Sequence, residues 1–157
     1  MGGGDGGSGS WHHCDVTSGD DVDRVFAEIV SLRGRVDVVV NNAGIGSVGT
    51  VLETTTAEMD KLYAVNVKGV FHCLRAAVRV MLADEKGGSI VNVGSIASVV
   101  GLADRFAYSC TKGAVLTMSK SVATDYVKRG IRSNCICPAR IHTPFVDAYL
   151  AKDYAGK

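Results

Sequence analysis

A parallel α/β sheet is the fold class the sequence predicts, and two observations carry that prediction. Short apolar runs at residues 36–40, 89–93 and 131–137 have strand length and little polar alternation, as strands covered on both faces do. Between them lie long stretches with apolar residues at helical spacing, about 56–84 and 106–128. Strands alternating with helices of that length imply crossover units and a parallel sheet.

In chain order, residues 1–10 are glycine and serine with single interruptions, which predicts a flexible tail ahead of a folded unit at 11–157. Residues 11–16 read as a short strand. Thr17 offers a helix N-cap, and Asp20 and Asp21 fall in the first turn, where carboxylates favour the helix dipole. Val22, Val25, Phe26, Ile29 and Leu32 then recur at helical spacing until Gly34. The run at 36–40 delivers Asn41-Asn42-Ala43-Gly44. Amides and small residues at a strand's end let a ligand approach the backbone, although a plain turn accounts for the same tetrapeptide taken alone.

Thr55 opens the next helix, with Glu58 three residues later in a capping-box pattern. Met59, Leu62, Tyr63, Val70, Leu74, Ala77 and Val78 supply its buried stripe, and Asn66 interrupts it. Gly87-Gly88 closes that helix and leads into a strand ending at Ser95. The second long helix starts near Phe106 and stops at Gly130. Pro138 breaks the following strand, and Thr143-Pro144-Phe145 opens a short helical piece.

Totals narrow the function classes. At 157 residues the chain has the length of one domain, and 46% apolar content supports a real core. Lys plus Arg (17) balances Asp plus Glu (16), which argues against nucleic acid or an anionic membrane surface as partner. No apolar run approaches the roughly 20 residues of a membrane helix. With no signal peptide visible, a soluble, cytoplasmic protein is expected. Five cysteines without a regular framework read as free thiols. Cys135-x-Cys137 with His142, and His12-His13 beside Cys14, lack convincing ligand geometry, so no metal site is predicted.

The chemistry gathers between Ser95 and Lys112. Tyr108 and Lys112 stand four apart on a predicted helix and share one face. An ammonium beside a phenol favours the phenolate, which suits the pair to proton exchange near neutrality. Ser95, at the strand's end, is placed to hydrogen-bond the same reacting oxygen. Such a trio fits proton transfer to or from an alcohol or carbonyl. Tyr-x-x-x-Lys alone is weak evidence, because many helices carry that spacing for packing and solvation.

The combination of Ser95 thirteen residues before Tyr108, Lys112, Asn41-Asn42-Ala43-Gly44 and Asn66 resembles the short-chain dehydrogenase/reductase family, over about residues 14–149. The resemblance implies a Rossmann-like, doubly wound parallel sheet and hydride transfer between a nicotinamide cofactor, NAD or NADP, and a secondary alcohol or ketone. It makes Tyr108 the acid/base, gives Ser95 the task of polarising the substrate oxygen, and assigns Lys112 to the tyrosine and the nicotinamide ribose. Asn66 completes a tetrad through a water. Asn42, Ala43 and Gly44 fall at the cofactor cleft, and Pro138 and Thr143 near the nicotinamide, although Ala139 stands where the family has glycine after the proline. Asp15 matches an aspartate near the adenine, and a helix-capping role competes for it.

Within the family, Tyr108-Ser109-x-Thr111-Lys112 and Gly130-Ile131-Arg132-x-Asn134-Cys135-x-Cys137-Pro138 resemble a branch that includes type-2 3-hydroxybutyrate and deoxy-sugar-acid dehydrogenases; NAD is the commoner cofactor there. Arg105, three residues before the tyrosine, matches that branch. It could grip a carboxylate with two parallel hydrogen bonds, and a plain surface arginine at a helix start is the competing reading. The resemblance also implies a truncated sheet that lacks the family's first two strands, its glycine-rich cofactor turn and its last strand. The run at 36–40 would then be an apolar edge. Dimerisation through the 56–84 and 106–128 helices follows from the family. A catalytically inactive fragment that acts only by association is the alternative.

Overall fold

A computed structural model of the chain describes residues 8–142. The element order is α1 (Gly19–Arg33), β1 (Val38–Asn41), α2 (Thr56–Leu62), a π-helical segment (Tyr63–Gly69), α3 (Val70–Ala83), β2 (Gly88–Val93), a short 3₁₀ turn (Ile96–Ser98), α4 (Phe106–Tyr126), a second 3₁₀ turn (Val127–Arg129) and β3 (Ile131–Ile136). The three strands form one parallel sheet in the order β1-β2-β3. This is the predicted α/β architecture, Rossmann-like and incomplete.

Register decides which side chains meet. Val39 lies beside Ile90, and Ile90 beside Ser133, so these three share a face. That face packs against Val70, Leu74, Ala77, Val78 and Met81 of α3 and Val115 of α4, with Phe26 of α1 behind them. Each of the larger side chains among them contributes about 1.5–3 kcal/mol when fully buried. The opposite face has no helix over it among the described residues. Val38 and Val40 are each 59% exposed there, and Ile136 is 49% exposed. The expectation that residues 36–40 are covered on both faces is therefore corrected: β1 is an edge strand with one bare face.

Residues 11–16 form no strand. Trp11 is exposed, and the segment instead crosses α3, where His72 Nδ1 lies 2.9 Å from the Val16 carbonyl oxygen. Gly69 makes that crossing possible, because a Cβ there would come within 2.8 Å of Val16 Cγ2. The helix cap also differs by one residue. Ser18, not Thr17, caps α1 by accepting from the Asp21 N–H at 3.2 Å. Gly34 ends α1 in the left-handed conformation (φ 82°), as its missing Cβ allows.

Thr55 caps α2 as expected, with its hydroxyl accepting from the Glu58 N–H. The long helix predicted over 56–84 is interrupted by the π turn, and Asn66 sits in that turn. The predicted helix from 106 becomes 3₁₀ after Tyr126, and the last strand ends one residue early, at Ile136. The helical piece predicted at Thr143 lies outside the described residues, as does Thr143 itself.

Candidate active site

Ser95 follows β2, and Tyr108 and Lys112 project from the start of α4, so the end of the central strand and one helix face supply the group. The Lys112 side chain is buried (6% exposed) and its Nζ donates to the Val93 carbonyl at 2.8 Å. An ammonium has three donors, so two remain. Burial holds the Lys112 pKa below the ordinary lysine value, and charge on Cys135 and Cys137 opposes that shift. Lys112 Nζ lies 5.9 Å from the centroid of the half-buried Tyr108 ring. The Arg105 guanidinium stands at a similar distance, 5.6 Å.

Asn66 is 1% exposed and fully engaged. Its Oδ1 accepts from the Ile45 N–H at 2.8 Å, and its Nδ2 donates to the Ile45 carbonyl at 2.8 Å and to Thr111 Oγ1 at 3.1 Å. Thr111 in turn donates to the Tyr108 carbonyl. The π turn thus couples the loop after β1 to the α4 turn that carries Tyr108 and Lys112. Irregular helix turns of this kind recur at functional sites. Gly44 completes the cluster: a Cβ there would lie 3.3 Å from Asn66 Oδ1 and 3.5 Å from Lys112 Nζ.

Under this group lies a buried polar network. Asn41 and Asn92 are lateral neighbours in the sheet, and Asn41 Nδ2 donates to Asn92 Oδ1 at 2.8 Å. Asn92 Nδ2 then reaches Ser119 Oγ (3.1 Å) and Ser133 Oγ (3.2 Å). Asn41, rather than its exposed neighbours Asn42 and Ala43, is the amide that fixes the end of β1.

The remaining candidates are less concentrated. Asp15 is exposed, and its Oδ1 accepts from the Thr17 N–H (2.9 Å) and hydroxyl (2.8 Å). Those two bonds hold its carboxyl below the usual carboxylate range. It shapes the entry to α1 without being its N-cap. Arg105 Nη1 donates to the Ser47 carbonyl at 2.8 Å, and Gly49 bridges to the same turn through Asp104 and Phe106. Pro138 accepts from the Ile96 N–H at 2.8 Å, so it abuts the Ser95 turn. A cavity of about 430 Å³ opens beside Gly44, Ile45, Gly46, Glu58, Lys61 and Leu62. Ser95, Tyr108 and Lys112 do not line it.

The sequence reading missed Ser98 and Thr111. Ser98 stands three residues after Ser95, the spacing of a capping box, and the two serines do cap the 3₁₀ turn reciprocally. Among the described residues no group of three or more His, Cys, Asp or Glu is placed to hold a metal ion. No described helix is long and apolar enough to cross a membrane.

Comparison with known proteins gives the family. The short chain dehydrogenase family model matches residues 5–153, and the chain belongs to that family. It is 47% identical over 133 residues to 2-(R)-hydroxypropyl-CoM dehydrogenase of Xanthobacter autotrophicus, covering 83% of this chain and 53% of that one. It is 41% identical over 143 residues to 3beta-hydroxysteroid dehydrogenase of Mediterraneibacter gnavus, covering 90% of this chain and 51% of the relative. The solved structure of ElxO with NADP bound superposes with a TM-score of 0.86 at 33% identity, over 92% of this chain and 58% of that chain. The chain spans about half the length of the curated relatives it matches.

Proposed function

We propose that this chain carries the catalytic half of a nicotinamide-dependent oxidoreductase that interconverts a secondary alcohol and a ketone. The observation that carries the reading is buried Lys112, whose Nζ holds the Val93 carbonyl two residues before Ser95 and lies 5.9 Å from the Tyr108 ring, with Asn66 tied to Thr111 and Gly44 bare beside them. Gly44 offers the test of fit. Its missing side chain leaves the backbone at the end of β1 open to close approach, next to an ammonium with donors to give, as a cofactor ribose needs. The pyrophosphate has no matching glycine turn among the described residues.

The bound nicotinamide would accept or give the hydride. Tyr108 would hold or move the proton at its phenolic oxygen, Ser95 would orient the substrate oxygen from its Oγ, and Lys112 would bias the phenol and bind the ribose. Asn42, Ala43, Pro138 and Thr143 would border the nucleotide, with Asp15 toward its adenine. Arg105 favours a small hydroxy acid as substrate, within the branch that the sequence resembles. NAD is favoured over NADP by the same resemblance. The protein would act in the cytoplasm.

Association in pairs is part of the proposal. A groove of about 600 Å³ runs between α3 and α4, lined in part by Phe71, Leu74, Val78, Met118 and Val122. A second copy would cover it.

Calorimetric titration of the purified chain with NADH and with NADPH tests the reading first. Micromolar binding, with alcohol oxidation that Tyr108→Phe lowers by roughly 10²–10⁴-fold, supports it. A folded chain that binds neither cofactor at millimolar concentration would favour a fragment that acts by association alone.

A further inference from the structure

Ser98 joins two of the candidate catalytic residues with a single hydroxyl. Its Oγ accepts from the Ser95 N–H at 3.1 Å and donates to the Lys112 carbonyl at 2.8 Å. A serine hydroxyl has one hydrogen, so donation to Lys112 fixes its rotation and turns its lone pairs toward Ser95. The Ser95 hydroxyl answers by accepting from the Ala97 N–H at 3.1 Å.

The surrounding strands leave this turn little freedom. Gly94 N–H donates to the Ile136 carbonyl and Ile96 N–H to the Pro138 carbonyl, both at 2.8 Å, so Ser95 is anchored to the end of β3 on either side. Those bonds set the turn against the sheet, and the Ser98 hydroxyl sets it against the backbone of α4. Gly94 is what admits the hydroxyl: a Cβ there would lie 2.9 Å from Ser98 Oγ and 2.9 Å from Cys135 Sγ. The Lys112 side chain ties back to Val93 across the same gap. Strand end and helix are therefore crossed by two bonds, one from each side.

We propose that Ser98 is a positioning residue that sets the separation between the Ser95 hydroxyl and the Tyr108–Lys112 face. This rests on the oxidoreductase reading for its catalytic consequence, and on the geometry alone for the clamp. Removing the hydroxyl leaves the Ser95 N–H without its partner and lets the serine drift relative to α4. Small displacements of that kind lower turnover without weakening ground-state binding.

The test compares the full chain with Ser98→Ala and Ser98→Thr, which keeps the hydroxyl. In Ser98→Ala, kcat should fall about tenfold, the loss of one well-placed hydrogen bond, with the NADH Kd changed less than about twofold. Ser98→Thr should recover most of the turnover. Hydrogen exchange gives a readout that needs no activity. The Ser95 amide should exchange about tenfold faster in Ser98→Ala while Ile90 and Asn92 in the preceding strand stay unchanged. If the parent chain shows no turnover, the catalytic reading fails by itself, and exchange at Ser95 still decides the clamp. Unchanged exchange at Ser95, or an equal rise along the whole of β2, would overturn the proposal.

Discussion

Lys112 Nζ is hydrogen-bonded to the Val93 carbonyl at 2.8 Å, and the lysine that makes this bond is almost wholly buried. Burial lowers its pKa below 10.5. The unfolded chain therefore holds more protons than the folded one between the lowered value and 10.5, and this group's contribution to stability rises with pH across that window. Lys112→Met removes the titrating group. The urea midpoint of the parent relative to Lys112→Met is expected to rise from pH 7 to pH 10; a flat difference would show the ammonium to be solvated.

Cys73 gives the opposite slope. Burial pushes its thiol up from 9.0 to about 11. The folded chain then keeps a proton that the unfolded chain loses, so stability is full below pH 9 and declines as pH rises towards 11. Cys73→Ala is expected to lose this alkaline decline, read as the pH dependence of the melting temperature above pH 9.

Gly44→Ala tests the close approach beside Asn66 and Lys112. A Cβ at 3.3 Å from Asn66 Oδ1 obliges the amide to yield by a few tenths of an ångström. Stability should change by less than about 1 kcal/mol, since the backbone there is open to any residue. NADH affinity should drop by about tenfold, and calorimetry compares the two. An unchanged Kd would move the cofactor away from the end of β1.

Asn92→Ala removes the centre of the buried polar network. Asn41, Ser119 and Ser133 would each lose a partner in a site that water does not reach freely. Buried groups left unpaired cost about 1–3 kcal/mol apiece before relaxation, so a loss of about 3 kcal/mol is expected in denaturant unfolding. A loss below about 1 kcal/mol would mean the three neighbours re-pair among themselves.

Arg105→Ala should raise KM for a hydroxy acid more than KM for a neutral alcohol. The guanidinium also holds the Ser47 carbonyl, so a matched rise for both substrates would assign it to the loop and remove it from the carboxylate.

Much of this fold was legible because local signals agreed with it. The runs before Asn41 and Ser95 are apolar and short, Thr55 and Gly34 mark helix ends, and Tyr108 and Lys112 share a face by spacing alone. Residues 11–16 misled because a short run of strand length says nothing about a partner strand, and here the segment packs on α3 through Val16 instead. Coverage of Val38 and Val40 depends on elements far away in sequence, so strand propensity could not reveal it. Ser98 was invisible because its role needs Lys112, fourteen residues away, folded against it.

The π turn at Tyr63–Gly69 changes how its two flanking helices add up. α2 and α3 follow one another with no break in right-handed helical backbone, yet the wider turn shifts the angular phase between them, so a single helical wheel over 56–83 misplaces one stripe or the other. A one-residue deletion inside the turn could restore uniform α-helix and leave the helical backbone unbroken. It would still swing Asn66 off Ile45 and Thr111. In this chain helix continuity and site geometry are separately breakable, and loss of one would be silent in a circular dichroism spectrum.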